Sequence, residues 1–302
     1  MDKLQRLRLF VDVAETGSFS RAAERLNLPR ATATVGVQSL ERQLGVRLFQ
    51  RTTRQVVLTA EGEQYLERAR RLLEDADDLD GLFADGGAGP SGTVRIDMPE
   101  RLANHTLIPM LAEFCAAYPG IHLRLGTAGR LVDLVGEGVD CAIRVGPLAD
   151  SSLIARPLGS MAQVNCAAPA YLARYGMPQT PGDLARGHCA VGYFSPRLGH
   201  DLDWEWEEDG QAHSLRLPVR VSVNSSESYL RCGLAGLGLI QVPRLGARPF
   251  LASGELVEVL PGQRPGPLPV AIIYPRNRHL PPRVRVLVDW VMATLRPLVA
   301  DR

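Results

Sequence analysis

The sequence predicts an α/β protein that carries a small all-α segment at its N-terminus. Helical patterns fill most of residues 1–60, whereas strand and helix patterns alternate beyond residue 92. A glycine-rich run at 86–92 separates the two regions and has the composition of a linker. A chain of 302 residues is long enough for two or three domains, and its 45% hydrophobic and 22% charged fractions are typical of a folded globular protein.

The first two helices are predicted from apolar spacing and from residues that begin or end helices. The first helix ends at Gly17, and Ser18 or Ser20 caps the second. The apolar face of the first helix is formed by Leu4, Leu7, Phe10, Val11 and Ala14, and the second helix contains Ala22, Ala23 and Leu26.

The third helix is predicted to begin at Pro29, a residue favoured in a first helical turn, and to end near Leu44 before Gly45. A turn flanked by extended residues follows at 49–59, which is the size of a small β-wing. Residues 1–60 contain ten basic and five acidic side chains, so they carry +5 of a total net charge of +1 and leave −4 for the remainder. This asymmetry favours a nucleic-acid-binding module joined to a different domain.

The second and third helices have the features of a helix-turn-helix. Such a motif needs small residues where the helices cross, which Ala22 and Ala23 supply, and a tight turn, predicted near Asn27. The inner apolar face is predicted to be Leu26, Leu28, Val35 and Leu40. The outer face is predicted to present Arg30, Thr32, Ala33, Thr34 and Gln38, with Gly36 leaving room for close approach.

These residue types suit recognition of duplex DNA. Arg pairs with guanine, Gln pairs with adenine, and a Thr methyl group contacts thymine, whereas Arg51, Thr52 and Arg54 on the wing suit phosphates. The predicted DNA-binding set is Ser18, Ser20, Arg21, Pro29, Arg30, Thr32, Ala33, Thr34, Gln38, Arg51, Thr52 and Arg54.

A long helix is predicted from Ala60 to Phe83, and it carries a heptad seam flanked by charged residues. We predict that this seam joins two copies of the chain. The alternative is a helix that lies on the core of its own domain. The seam consists of Tyr65, Ala69, Leu72, Ala76, Leu79 and Phe83.

Beyond the linker, alternating elements predict an α/β domain with mainly parallel sheets. Strands are predicted at 93–98, 121–125, 139–145, 163–168, 217–223 and 270–274, and helices at 107–118, 130–137, 170–175 and 282–295.

Three segments of residues 1–62 make the resemblance to a known family specific. Residues 10–26 (FVDVAETGSFSRAAERL), 40–54 (LERQLGVRLFQRTTR) and 58–62 (LTAEG) are similar to the opening of LysR-type transcriptional regulators. Residues 118–120, 132–146 and 169–172 resemble the effector-binding domain of the same family. Family members commonly carry Ser where this chain has Pro29 and Thr34.

The resemblance implies an N-terminal winged helix-turn-helix and a two-lobed, periplasmic-binding-protein-like effector domain. It divides the chain into residues 1–60 for DNA binding, 61–91 for the dimerisation helix and hinge, and 92–302 for the effector domain. Lobe one then comprises 92–162 and 268–302, and lobe two comprises 163–267, with crossovers near Met161–Asn165 and Pro265–Pro269.

Effector-binding residues are expected beyond the carboxyl ends of strands and at the N-termini of helices. For each of them the alternative is an ordinary loop or helix cap, and Glu100 with Arg101 could equally form a solvated salt bridge. The candidates are Pro99, Glu100, Arg101, Thr127, Ala128, Gly129, Val145, Gly146, Asn224, Ser225, Ser226, Gln241 and Val242.

Several other classes of protein are disfavoured by the sequence. Five scattered cysteines without a CxxC pair indicate buried, reduced thiols, and neither the cysteines nor the histidines have metal-ligand spacing. The glycine-rich segment 233–238 follows a helix and precedes a strand, the wrong order for a dinucleotide site. The absence of a long apolar run and of a leader predicts a cytoplasmic protein without a membrane span. No cofactor and no metal are expected either.

The leading hypothesis is a regulator that binds double-stranded DNA as a homodimer and responds to a small-molecule effector. The resemblance implies a homotetramer that contacts RNA polymerase. A second hypothesis is a constitutive or architectural DNA-binding protein whose C-terminal domain only oligomerises. A third is an enzyme with an accessory DNA-binding domain, but the sequence lacks a convincing nucleophile–base pair, metal cluster or cofactor loop. The effector, the operator and the direction of regulation stay open.

Overall fold

A computed structural model describes residues 1–51, 56–81, 89–127, 133–148, 153–194, 200–276 and 280–299, with side chains for all but 51 and 77–81. The chain divides into two compact units, Met1–Ala88 and Gly89–Arg302. Within the described residues, no helix combines the length and the apolar character needed to span a membrane.

In its described residues, the N-terminal unit consists of four helices and a two-stranded antiparallel hairpin. Its core is centred on Phe10, whose ring centroid lies 5.2 Å from those of both Phe49 and Tyr65. The core therefore ties the first helix to the hairpin and to the fourth helix. The elements are α1 (Lys3–Thr16), α2 (Phe19–Arg25), α3 (Arg30–Leu44), β1 (Phe49–Arg51), β2 (Val56–Leu58) and α4 (Ala60–Gly81).

Three predictions about α3 are wrong in detail. Pro29 is the N-cap of the helix and contributes no side-chain hydrogen bond, so the helix begins one residue later than predicted. Val35 was expected on the inner face but is 57% exposed, because the buried line of α3 runs through Ala33 and Val37. Gly36 is also buried: a Cβ there would lie 2.8 Å from Leu9, so the close approach that it permits is to α1.

The C-terminal unit contains twelve strands and seven α-helices within its described residues. They are β3 (Gly92–Asp97), α5 (Glu100–Leu102), α6 (Leu111–Ala117), β4 (Ile121–Gly126), β5 (Cys141–Val145), β6 (Leu153–Met161), β7 (Gln163–Ala167), α7 (Pro169–Tyr175), α8 (Pro181–Leu184), β8 (Ala190–Tyr193), β9 (Trp204–Glu208), β10 (Gln211–Leu215), β11 (Val219–Val223), α9 (Ser226–Leu234), β12 (Ile240–Pro243), α10 (Arg244–Ser253), β13 (Val257–Glu258), β14 (Leu268–Pro275) and α11 (Pro282–Val299).

Two sheets of the same design form the cores of two lobes. Lobe one is built on the order β4-β3-β5-β14-β6, in which β3 is parallel to both β4 and β5, and β14 is antiparallel to both of its neighbours. In lobe two, β8 is parallel to β11, and a parallel bridge from Ala190 to Leu239 joins it to the start of β12. Strand β7 then pairs antiparallel with β12 and β13. The order β11-β8-β12-β7-β13 therefore repeats the pattern of lobe one, and both sheets are mixed rather than mainly parallel.

The two lobes are joined by two chain connections that lie side by side. One is the direct passage from β6 to β7 through Ala162, and the other leads from β13 back to β14. Met161 pairs with Leu268, and the Nε2 of Gln163 donates a hydrogen bond of 2.7 Å to the carbonyl of Gly266. These contacts hold the two connections together where the lobes meet.

Some local predictions for lobe one need correction. The helix predicted at 107–118 is shorter than expected, because a π-helical turn at Ala103–Leu107 and a 3-10 turn at Ile108–Met110, where Pro109 supplies no N–H, precede α6. The helix predicted at 130–137 falls partly on 128–132, outside the described residues, and 134–138 form turns. Cys115 is exposed, so the expectation of uniformly buried thiols is also wrong.

Candidate DNA interface and interlobe cleft

The helix-turn-helix is made by α2, α3 and the tight turn between them. Asn27 adopts a left-handed conformation with φ of 52°, which Asn tolerates better than most residues. The N–H of Leu28 then bonds to the carbonyl of Ala23 at 2.8 Å. Ala22 and Ala23 are buried at the crossing, as the motif requires.

The solvent-facing side of α3 combines polar and apolar groups. Arg30, Gln38 and Arg42 are exposed, and the hydroxyl of Thr34 donates to the carbonyl of Arg30 at 3.4 Å. Ala31 is exposed beside them, as is Val35. Ala31 and Val35 were missed as surface residues, although the phase of a helix with Ala33 and Val37 inside would have placed both outside.

Ala33 cannot contact a base with its side chain. It is fully buried between α3 and the rest of the N-terminal unit, in the same core as Val37 and Leu40. The prediction that it reads DNA is therefore wrong, and the reason is the helical phase just described. Thr32 lies half-buried at the boundary between the inner and outer sides.

The residues around α2 that were predicted to bind DNA, Ser18, Ser20 and Arg21, lie at or near the N-terminus of that helix. Ser18 is the N-cap, and its Oγ accepts a hydrogen bond of 3.4 Å from the N–H of Arg21. Arg21 in turn donates from its guanidinium to the carbonyl of Thr16, and Ser20 is half-buried in the first turn. These contacts fix the start of α2 and leave the Arg21 side chain largely exposed.

The wing is positioned by the carboxylate of Glu41, a role that was not predicted from the sequence. The Oε1 of Glu41 accepts hydrogen bonds from the backbone N–H groups of Leu48 (2.9 Å) and Phe49 (3.2 Å), which ties the end of α3 to β1. Arg51 belongs to β1, but nothing is described of its side chain, and the predicted contacts Thr52 and Arg54 lie outside the described residues.

The predicted dimerisation seam divides into two parts. Tyr65 and Ala69 pack into the core of the N-terminal unit together with Leu73, so this part of α4 follows the alternative and lies on its own domain. Leu72 is 47% exposed and Ala76 is half-buried. The side chain of Leu79 is not among the described groups, and Phe83 lies outside the described residues.

The candidate cleft residues of lobe one gather at a single sheet edge. Because β3, β4 and β5 are parallel, Pro99, Thr127 and Val145 all follow or end strands at the same edge. Gly146 has a φ of 103°, in the range that favours glycine, and donates its N–H to the carbonyl of Pro269. The predicted residues Ala128 and Gly129 fall outside the described part of the chain.

In lobe two, two of the predicted residues are unsuited to ligand contact. Val242 is 6% exposed and belongs to the core beneath α9 and α10, so the prediction that its side chain lines a cleft is wrong. The side-chain amide of Gln241 bonds to Asn165 and to both backbone groups of Glu205, which occupies its oxygen and its Nε2. The side chain of Gln241 therefore holds the β9–β10 hairpin in place and is not free to bind a ligand.

Asn224, Ser225 and Ser226 lie where predicted, at the start of α9. Ser225 is the N-cap of that helix, and its Oγ donates a hydrogen bond of 2.9 Å to the Oε2 of Glu100. Since Glu100 belongs to lobe one, this bond crosses from one lobe to the other. Ser226 is half-buried, and Asn224 is exposed.

Arg101 makes a second and stronger interlobe contact. Its Nη1 lies 2.6 Å from the Oε2 of Glu227, and its Nη2 donates to the carbonyl of Gly246 at 2.9 Å. A Cβ at Gly246 would stand 3.2 Å from the Nε of Arg101, so the glycine allows the guanidinium to lie close. Glu100 and Arg101 do not pair with each other; each joins lobe one to lobe two.

The environment of Glu227 keeps its carboxylate charged. Burial alone would raise the pKa of this carboxyl, but hydrogen bonds and positive charge from Arg231 and Arg101 together hold the pKa below its ordinary value. The Nε2 of His105 lies 3.5 Å from the same carboxylate. No sequence signal pointed to Glu227, because its partner Arg101 lies far away along the chain.

A buried ion pair lies at the same edge of lobe one. The Nη1 of Arg144, on β5, is 2.6 Å from the Oδ1 of Asp97, at the end of β3, and both side chains are almost fully buried.

A cavity of about 160 Å³ lies elsewhere, in lobe two, and none of the predicted effector-binding residues lines it. Among the described residues, no group of three or more His, Cys, Asp or Glu could hold a metal ion.

Comparisons with known protein families cover both units. Residues 4–63 match the family described as "Bacterial regulatory helix-turn-helix protein, lysR family", and residues 87–296 match the "LysR substrate binding domain". The HTH-type transcriptional regulator YhjC of Escherichia coli K12 is 45% identical over 297 residues, which are 98% of this chain and 99% of that protein. The HTH-type transcriptional activator AaeR of the same strain is 35% identical, over 96% of this chain and 93% of its own length.

Two solved structures are similar over nearly the whole chain. CrgA, a LysR-type transcriptional regulator from Neisseria meningitidis, has 33% identity and a TM-score of 0.62, with 96% of this chain and 98% of that chain covered. The full-length virulence activator AphB of Vibrio cholerae has 31% identity and a TM-score of 0.59, with 97% and 99% covered.

Proposed function

Because the chain belongs to the LysR family of DNA-binding transcriptional regulators controlled by small-molecule effectors, we propose that α3 reads its operator through Arg30 and Gln38. The observation that carries this proposal is the division of α3 into a buried face, with Ala33 and Val37, and a face that offers a guanidinium and an amide to solvent. Arg pairs with guanine and Gln with adenine in the major groove. The wing then contacts phosphates, which gives affinity and salt dependence rather than base choice.

Replacing either base reader should weaken specific binding far more than non-specific binding. We expect Arg30→Ala or Gln38→Ala to cost about 1–3 kcal/mol on the preferred sequence, the usual value of one good side-chain contact to a base pair. The full-length protein would select that sequence from a random duplex pool, and equilibrium titrations would compare it with a scrambled duplex.

Arg68→Ala is a matched control, because Arg68 is an exposed arginine of the same unit that lies on α4 rather than α3. It should lower the affinity for both duplexes slightly and equally. If Arg30→Ala and Gln38→Ala also reduced both affinities by the same factor, neither residue would be a base reader.

For effector control, we propose that the small molecule binds between the carboxyl edges of the two sheets. Thr127 and Val145 lie on the lobe-one side, and Asn224 and Ser226 lie on the lobe-two side. The contacts from Glu100 to Ser225 and from Arg101 to Glu227 span this cleft. A ligand that prefers one lobe separation shifts the population of the two arrangements by its difference in affinity for them.

Loss of Arg101 should loosen the lobes. We expect Arg101→Met to lower the free energy of unfolding of the C-terminal unit by about 1.5–3 kcal/mol, the value of hydrogen bonds to charged groups. Amide hydrogen exchange should also become faster at 100–107 and 225–231. Melting curves and exchange measured by mass spectrometry would test both expectations.

Arg231→Met separates the interlobe effect from a change in charge. Arg231 pairs with the same carboxylate of Glu227 at 2.8 Å, but it lies on α9 itself and its side chain is 62% exposed. This variant should leave exchange at 100–107 unchanged. Equal acceleration in both variants would mean that Arg101 contributes nothing specific to holding the lobes together.

We also propose that the exposed part of the α4 seam, at Leu72 and Ala76, joins two chains into a dimer. Pairs of dimers would form a tetramer. This assignment concerns only the outward side of the helix, since Tyr65 and Ala69 are used inside their own unit. The C-terminal unit then serves as a sensor rather than an enzyme, and the protein acts in the cytoplasm beside its DNA and RNA polymerase.

A further inference from the structure

The exposed face of α3 carries an apolar side chain, Val35, that neither helix formation nor phosphate binding explains. Val35 is 57% exposed on this helix, and Ala31, one turn before it, is exposed as well. β-branched residues are less favourable in helices than Ala or long straight side chains. An exposed valine at this position therefore contributes little to the stability of the N-terminal unit.

Thr34 adds a third methyl group beside them. Its hydroxyl already donates a hydrogen bond to the carbonyl of Arg30, 3.4 Å away, so the hydrogen of that hydroxyl is used inside the helix. The hydroxyl oxygen can still accept a hydrogen bond from a partner, and the γ-methyl group is available for apolar contact. We call Ala31, Thr34 and Val35 the methyl strip.

Polar and cationic residues lie on either side of the methyl strip along the same helix. Arg30 precedes it, and Gln38 and Arg42 follow it, all exposed. A protein partner with an apolar surface would leave these groups unpaired, whereas the major groove of DNA offers acceptors to them. The groove also offers one apolar group, the C5-methyl of thymine.

We propose that the methyl strip, with Val35 at its centre, selects thymine in the operator by contact with its C5-methyl group. The assignment rests on the proposed function, because it requires α3 to lie in the major groove. It makes Val35 a specificity-determining residue in addition to Arg30 and Gln38. The affinity expected from one buried methyl group is about 0.8 kcal/mol, which is about fourfold in the dissociation constant.

The test replaces thymine by deoxyuracil, which removes only the methyl group and keeps base pairing. The full-length protein would first select its preferred duplex from a random pool, and each thymine of a half-site would then be replaced in turn. The wild-type protein should bind about fourfold more weakly when one or two particular thymines lose their methyl group. Val35→Ala should bind the thymine duplex about fourfold more weakly and should no longer distinguish thymine from uracil at those positions.

Val135→Ala is the control, because Val135 is a 67% exposed valine of the C-terminal unit. It should keep the full discrimination between thymine and uracil, and melting curves should be unchanged for both variants. Discrimination that survives in Val35→Ala, or a wild-type protein indifferent to every methyl group, would overturn the assignment while leaving sequence-specific binding intact. Failure to select any preferred sequence would instead overturn the proposed function, and the assignment with it.

Discussion

Replacing Arg144 by Met should destabilise the C-terminal unit by about 3–5 kcal/mol, because it removes the guanidinium that lies against a buried carboxylate. Asp97 is 3% exposed and lies 2.6 Å from the guanidinium of Arg144. The other two guanidinium nitrogens of Arg144 are buried and have no hydrogen-bond partner in the described part of the chain, so the attraction to Asp97 must offset most of the cost of burying the charge. Urea denaturation followed by tryptophan fluorescence would measure the loss, since all three tryptophans lie beyond residue 200.

A double-mutant cycle separates loss of the ion pair from loss of packing. Arg144→Met combined with Asp97→Asn removes both charges, and it should cost clearly less than the sum of the two single substitutions. Arg156→Met is the surface control, because its partner Asp289 is 57% exposed and such pairs contribute at most about 1 kcal/mol. Additive losses in the cycle would mean that the two charges do not depend on each other.

The second large effect is expected in the N-terminal unit. Phe10→Ala should lower its free energy of unfolding by about 3–5 kcal/mol, because the ring is fully buried between Phe49 and Tyr65 and its removal leaves a cavity. DNA binding should be lost at a lower temperature than in the wild type. Circular dichroism and a DNA-binding assay over a temperature series would record this change.

Two control measurements test whether the loss of stability in Phe10→Ala comes from the aromatic contacts of its ring. Leu4→Ala alters the same helix at a side chain that is 42% exposed, and it should change stability by no more than about 0.5 kcal/mol. Tryptophan fluorescence should report unchanged unfolding of the C-terminal unit in the Phe10→Ala protein. If Leu4→Ala were as damaging as Phe10→Ala, the aromatic contacts would not be the reason for the loss.

The fold class could be predicted from the sequence because its evidence is local. Glycines and prolines mark the ends of helices, and the signature segments of residues 1–62 identify the helix-turn-helix family. It was harder to predict which side of α3 faces solvent. Val35 was expected to be buried because it is apolar, but it points outward because Ala33, Val37 and Leu40 form the buried side of the helix. The mixed direction of the sheets was missed because β14 joins strands that precede it by more than a hundred residues.

The candidate cleft was only partly predictable, since its contacts join distant parts of the chain. Strand ends and helix N-termini pointed to the segments around Glu100 and Ser225, and the structure brings these two segments together. The same rule selected Gln241 and Val242, because it cannot tell which side of a strand faces a neighbouring hairpin or a core. Glu227 could not have been found, because its role depends on an arginine that the fold supplies from the other lobe.

The paired connections between the lobes limit how a bound molecule can move them. Two chain segments that run side by side and share hydrogen bonds resist sliding past each other and separating, but the pair can twist about its own long axis. We therefore expect the lobes to rotate about an axis along these connections more readily than they slide past each other. The two lobe arrangements between which an effector shifts the population would then differ mainly by rotation about this axis.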